Sequence, residues 1–129
     1  MPISERFDHE RRWVETTIEG PVTFADFESH WHRELAAQGE SYPELIDGQR
    51  AEVAFDAHDV RRMVEVLRLA AASRPLGPTA ILVHTDVGFG MVRMLSLLVE
   101  PFCAVQPFRD RDSAERWLKE LGGRTPPAT

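Results

Sequence analysis

The sequence predicts one α/β domain with a mixed, mostly parallel five-stranded sheet and about four helices. Strand and helix patterns alternate along most of its 129 residues, a length typical of a single domain. Residues 79–83 form a continuous apolar run between turn residues, as in a strand buried on both faces. Alternating strands and helices favour right-handed crossovers and a parallel sheet covered by helices.

Two strands open the chain, at residues 3–8 and 12–19, with a polar turn between them. In the second, Val14, Thr16 and Ile18 alternate with other residues, which predicts a strand with one buried face. A hairpin is the simplest connection, and it makes the sheet mixed.

The first helix is predicted at residues 23–38. Thr23 is a good N-cap, and Asp26 three residues later complements the helix N-terminus. An apolar stripe at helical spacing should pack on the sheet. Its members are Phe24, Phe27, Trp31 and Leu35.

The middle of the chain predicts a third strand at 42–47 and a second helix that begins at Asp56 or Ala57. Prolines and a glycine at 75–78 end that helix before the apolar strand at 79–83.

A third helix follows at 87–99. The last strand is predicted at 102–106, near a sheet edge because Pro107 cannot donate to a ladder, and it would bury the Cys103 thiol. The last helix should begin with Asp112 and Glu115 as a capping pair. The order is therefore β-β-α-β-α-β-α-β-α in a domain at 1–121, followed by a glycine- and proline-rich tail at 122–129 that we expect to be disordered.

Composition excludes several classes of protein. The net charge of −6 argues against duplex nucleic acid as a partner. The single cysteine excludes a disulfide framework. No apolar run is long enough for a membrane span, and the N-terminus lacks the form of a signal peptide, so we expect a cytoplasmic protein.

Several short phrases and their order resemble the STAS and SpoIIAA-like domains, the anti-sigma-factor antagonists, and more narrowly the bacterial STAS/SEC14-type SpoIIAA-like proteins. The phrases are EGPVT at 19–23, YPELID at 42–47, DVRR at 59–62, GMVRM at 90–94 and FRD at 108–110. The resemblance implies a regulatory or interaction module, and the SEC14 likeness implies an apolar ligand. Classical antagonists carry a phosphorylatable serine before the second helix, whereas residues 55–59 contain no serine or threonine. We therefore expect no phosphorylation switch at Ala57.

Three segments should meet beyond the carboxyl ends of the parallel strands, where open α/β sheets collect ligands. We call these segments the strand-end rim. Their candidate residues are Asp56, His58 and Asp59, then His84 and Asp86, then Arg109. Histidines with carboxylates could act as general acids and bases. The alternative is that the aspartates only cap helices.

The third helix is apolar nearly all round, whereas a helix on a sheet needs only one apolar stripe. The surplus surface includes Phe89, Met91 and Met94. A second copy of the chain, another protein, an apolar ligand or the rest of the domain could cover it.

No metal site or cofactor is predicted. His30 and His32 are two apart on a helix and cannot share one ion. No catalytic motif, and hence no catalytic residue, is identified. We expect a non-enzymatic interaction module that forms a homodimer or binds another protein. One alternative is a carrier or sensor of a small apolar molecule, with its cavity under the third helix and the 84–90 loop; another is an enzyme at the strand-end rim that uses His58, His84 and Asp86.

Overall fold

The computed structural model describes residues 2–37 and 41–122. These form a sheet in the order β1-β2-β3-β4-β5, in which β1 is antiparallel to β2 and the other neighbours are parallel. The elements are β1 (Ile3–Asp8), β2 (Trp13–Val22), α1 (Phe24–Ala36), β3 (Glu44–Val53), α2 (Ala57–Ser73), β4 (Thr79–Leu82), α3 (Asp86–Val99), β5 (Val105–Phe108) and α4 (Arg111–Gly122). The predicted fold class and element order are confirmed.

The sheet is covered on both faces because successive strand side chains alternate in direction. In β3, Ile46 packs in the larger core with residues of α1, α2 and α3, whereas Leu45 packs in a smaller core with Ala114 and Leu118 of α4. Three helices therefore lie on one face and α4 lies on the other. β4 is a largely buried inner strand that pairs in parallel on both sides, as its continuous apolar run predicts.

The helix starts follow the capping residues closely. Thr23 and Asp26 form a capping box on α1, as predicted, and Asp56 and Asp59 form a second one on α2. The prediction for α4 was wrong: Asp110, not the Asp112–Glu115 pair, accepts the backbone N–H of Ser113. The first N–H groups of a helix have no partner within the helix. A side-chain acceptor just before the first turn, such as Asp110, can bond to them, whereas a side chain inside the turn cannot reach them.

Two strand predictions need correction. β3 begins at Glu44 and continues to Val53 rather than ending at 47, because β2 also runs on, past Gly20, to Val22. Gly20 is paired with Ala51 within β2 and has a positive φ of 74°, a conformation that glycine adopts without strain.

The last strand also lies later than predicted, at Val105–Phe108 rather than 102–106. The backbone N–H groups of Phe102 and Cys103 both donate to Val99 O, so this segment closes the end of α3 and Cys103 is half-buried in a turn. β5 pairs with β4 alone, so Pro107 lies in an edge strand, as its missing donor requires. The predicted tail lies outside the described residues except for Gly122, which ends α4.

Candidate functional site

A buried polar cluster lies between α1 and the edge of the sheet where the parallel strands begin. The pairing of three strands assembles this cluster. Glu5 of β1 lies opposite Thr16 of β2. Thr16 in turn lies opposite Ile46 of β3, which is two residues after Glu44. Side chains two apart in a strand share a face, so Glu5, Thr16 and Glu44 all face α1. The helix contributes His30, Arg33 and Glu34.

The imidazole of His30 is fully buried and is held at both nitrogens. Nδ1 lies 2.9 Å from Glu5 Oε2, and Nε2 lies 2.8 Å from Glu44 Oε2. The flanking carboxylates are held in turn. The Thr16 hydroxyl donates to Glu44 Oε2 at 2.5 Å, and Arg33 Nε donates to Glu5 Oε1 at 2.6 Å. His30 is thus fixed in position by groups from two strands.

Glu34 is the carboxylate of the cluster whose contact with His30 falls short of a hydrogen bond. Its Oε1 atom lies 2.5 Å from His30 Nε2 but makes no hydrogen bond, and the residue is only 6% exposed. An imidazole nitrogen carries at most one proton, so Nε2 cannot donate fully to Glu44 and to Glu34 at once. Two carboxylates therefore lie against one imidazole N–H.

Charges within the cluster shift the pKa of each group. Burial opposes the charged form of His30, but Glu44 and Glu34 overcome it and raise the pKa of His30 to about 11. Burial and the nearby Glu44 carboxylate raise the pKa of Glu34 well above its usual range. The pKa of Glu44 is lowered despite burial, because the His30 cation stabilises its charge. The pKa of Glu5 is lowered, also against burial, by hydrogen bonds from Arg33 and His30.

A cavity of about 490 Å³ adjoins this cluster, between the sheet and the three helices on its face. Glu34 and Glu44 form part of its wall, and most of the remaining lining is apolar. The principal apolar side chains are Phe27 and Trp31 of α1, Phe55, Met63 and Leu67 of α2 and its approach, and Met91, Val92 and Leu95 of α3. A volume of this size, mostly apolar with a few polar groups, is typical of a small-molecule site.

A second cavity, of about 360 Å³, lies beside the outer part of α3. Arg93, Ser96, Glu100 and Trp117 contribute to its wall, which mixes charged and apolar groups. It contains no cluster of converging polar side chains like that around His30. The larger cavity is therefore the better candidate site.

Comparison with known proteins agrees with this architecture. Neither a protein-family model nor a curated protein matches the sequence. Among solved structures, the chain is similar to an uncharacterised protein of the DUF3478 family from Shewanella loihica PV-4, described as having a SpoIIAA-like fold. The TM-score is 0.62 at 15% sequence identity, over 90% of this chain and 93% of that chain. The fold is SpoIIAA-like. None of the described helices is long and apolar enough to cross a membrane.

In this SpoIIAA-like domain the strand-end rim is only partly assembled by side-chain contacts. Arg109 Nη2 donates to Asp86 Oδ1 at 2.8 Å, and its guanidinium lies 4.7 Å from the centre of the Phe89 ring. Arg109 also donates to the backbone oxygen of His84 at 3.4 Å.

The other three rim residues lie at the start of α2. Asp56 and Asp59 bond to each other's backbone N–H in the capping box, and His58 is exposed beside them. Capping accounts for both aspartates in the structure. A catalytic role for His58, His84 and Asp86 stays a prediction.

The surplus apolar surface of α3 divides between the interior and solvent. Phe89, Met91 and Met94 are half-buried against the core, and Met91 reaches the larger cavity. Val87, Leu97 and Leu98 are exposed, Leu97 to 59%. The cavity thus lies under α1, α2 and the inner side of α3, and residues 84–90 are not part of its wall. The cavity expected under the third helix and the 84–90 loop is therefore found under the third helix, where Met91, Val92 and Leu95 line it, but not under the loop.

The polar cluster was not predicted from the sequence. The apolar stripe of α1 was expected to end at Leu35, but Leu35 is 51% exposed and Glu34 takes the inward position. His30 and Glu34 are four residues apart and so share a helix face. That spacing was the available signal in the sequence.

Proposed function

We propose that this domain binds a small, largely apolar molecule in the cavity beneath α1, α2 and α3. The observation that carries the proposal is the cavity itself: about 490 Å³ of mostly apolar wall with a buried carboxylate pair at one side. Protein interiors are normally close-packed, with few voids larger than a water molecule. A space of this size beneath the helices therefore supports a binding site.

The wall suggests how recognition would be divided. Aromatic and aliphatic side chains such as Phe27, Trp31 and Met63 would supply affinity by removing the ligand's apolar surface from water. Methionines such as Met91 adapt to irregular shapes. Glu34 and Glu44 would fix the orientation of a polar group on the ligand.

Binding of the apolar dye Nile red, followed by fluorescence, tests the proposal. Ala70 lies in the cavity wall, so A70F should fill part of the space and weaken binding about tenfold or more. The matched control is A72F, two residues along the same helix, exposed and outside the wall. Native mass spectrometry of protein purified from cells should show a co-purifying lipid-sized mass. An unmodified chain that gives no saturable Nile red signal and carries no ligand would contradict the proposal.

A second candidate function is supported by a different observation. The exposed apolar residues Val87, Leu97 and Leu98 lie on one helix, which favours an interaction module that self-associates through α3. Ala57, the first residue of α2, has no hydroxyl, so any such regulation would work without phosphorylation there.

Light scattering coupled to size exclusion distinguishes this second candidate. L98E should convert a dimer to a monomer, whereas A72E, which adds the same charge on α2, should leave the mass unchanged. A strict monomer at high protein concentration would contradict self-association.

A further inference from the structure

We propose that His30, Glu34 and Glu44 bind a divalent transition-metal ion of the zinc type. The three residues offer one nitrogen and two carboxylate oxygens that all lie within 4.8 Å of one another, in a buried site. Histidine nitrogen and carboxylate oxygen are ordinary ligands of zinc and of neighbouring divalent metals. The inference does not depend on the identity, or the existence, of a ligand in the cavity.

The three ligand atoms lie at hydrogen-bond distances, somewhat closer together than around a bound ion. His30 Nε2 lies 2.8 Å from Glu44 Oε2 and 2.5 Å from Glu34 Oε1. Neighbouring ligand atoms around tetrahedral zinc are about 3.3 Å apart, because each lies about 2 Å from the metal. An outward movement of less than about 1 Å would admit the ion.

One carboxylate oxygen of the cluster is buried without a hydrogen bond. Glu34 Oε1 is buried and without a hydrogen bond, although it lies closest to His30 Nε2. The proton on Nε2 can be donated fully to only one of the two carboxyl groups, and the other keeps an oxygen that is buried without a hydrogen bond, which is costly. A metal ion in place of that proton would bind all three atoms at once.

The surroundings of the three residues match the usual support of a metal centre. Ligating histidines commonly donate their other ring N–H to a carboxylate, and here Nδ1 lies 2.9 Å from Glu5 Oε2. Arg33 holds Glu5 in turn, and Thr16 donates to Glu44. These contacts fix the orientation of the histidine ring and of one carboxylate.

Charge and access are also consistent with a divalent cation. A divalent ion would displace the protons of His30 and Glu34. The three carboxylates of Glu5, Glu34 and Glu44 would then be balanced by the ion and by Arg33, so the exchange leaves the net charge of the cluster unchanged. Glu34 and Glu44 also form part of the cavity wall, so the ion could enter from the cavity and keep an open position toward it.

Calorimetric titration with Zn²⁺ after chelator treatment tests the proposal, and Co²⁺ absorption reports the coordination geometry. One Zn²⁺ should bind per chain, and E34Q should weaken it by more than about 100-fold, since even supporting residues cost 10- to 100-fold. T16A, a positioning change, should weaken binding by about 10- to 100-fold. The control H32N alters an exposed histidine two residues from His30 and should bind as the unmodified chain does.

E34Q preserves the side-chain volume, and circular dichroism of each metal-free variant establishes that it is folded. A70F separates this inference from the proposed function, because it should weaken Nile red binding and leave Zn²⁺ binding intact. If the folded unmodified chain binds Zn²⁺ no more tightly than E34Q does, the network is held by a proton alone and the metal proposal is overturned.

Discussion

His30 Nε2 lies 2.8 Å from Glu44 Oε2, and this contact joins the middle of α1 to the first residue of β3. Both side chains are buried, so neither charge is screened by water. Removing one partner of a buried ion pair leaves the other uncompensated and costs about 3–5 kcal/mol. The pair therefore fixes how α1 sits on the sheet and, with it, one wall of the cavity.

Stability should fall as the pH rises from 7 to 9 in a metal-free, chelator-containing buffer. The pKa of His30 is raised to about 11 in the folded protein, above its ordinary value of about 6.5. A basic group whose pKa is higher in the folded state than in the unfolded state stabilises the fold. This stabilisation is complete below the unfolded-state pKa and is lost as the pH rises toward the folded-state pKa. The free energy of unfolding, from urea titrations, should decrease by up to about 1.4 kcal/mol per pH unit.

H30N should reduce the stability at pH 7 and flatten this dependence, whereas H32N should keep the slope of the unmodified chain. E34Q, which leaves His30 in place, should keep part of it. A slope that survives in H30N would be assigned to Glu34, whose pKa is also raised, rather than to the imidazole.

Local signals were sufficient to predict most of the fold. Thr23 with Asp26 marked the start of α1, and the continuous apolar run at 79–83 identified the central parallel strand. Both signals depend on residues that are close together in sequence. Their capping and burial preferences can therefore be assigned without knowing the rest of the fold.

The polar cluster could not be predicted in the same way, because its members are far apart in sequence. The apolar stripe of a helix is wide enough that either of two adjacent residues can face the core. Judged by polarity alone, Leu35 is expected to face the core and Glu34 to face solvent. Glu5 and Glu44, which place His30 between them, are 25 and 14 residues from it. Only the pairing of β1, β2 and β3 brings those carboxylates to the same face.

Gly77 and Gly90 should respond in opposite ways to alanine. A Cβ at Gly77 would lie 2.2 Å from the backbone oxygen of Tyr42, which cannot move aside without shifting the start of β3. A Cβ at Gly90, inside α3, meets nothing within 4 Å. Thermal or urea unfolding should show G77A destabilised by about 1–3 kcal/mol and G90A stabilised by about 0.5–1 kcal/mol. Equal effects would mean that the 75–78 turn is not packed against residue 42.

The ion pair between Arg109 and Asp86 should contribute little to stability. Asp86 is almost fully exposed and Arg109 is about half exposed, although the contact is 2.8 Å long. Exposed pairs are screened and lose side-chain entropy, so a double-mutant cycle with R109A and D86A should give a coupling energy below about 1 kcal/mol. A larger coupling would point to a more enclosed rim around this pair.

Cys103 should react slowly with alkylating reagents in the native protein. Burial raises the pKa of its thiol to about 11, compared with 9.0 for an unperturbed thiol. The thiolate is the form that reacts with iodoacetamide. With a pKa of about 11 instead of 9.0, the native thiol at pH 8 should react about 100-fold more slowly than the thiol of the same chain unfolded in urea. The native rate should then rise about tenfold per pH unit up to about pH 11, because each unit below the pKa multiplies the thiolate fraction by ten. Equal rates in the native and unfolded chains would mean that the turn after α3 opens freely, and that the adjoining cavity wall is not closed at this residue.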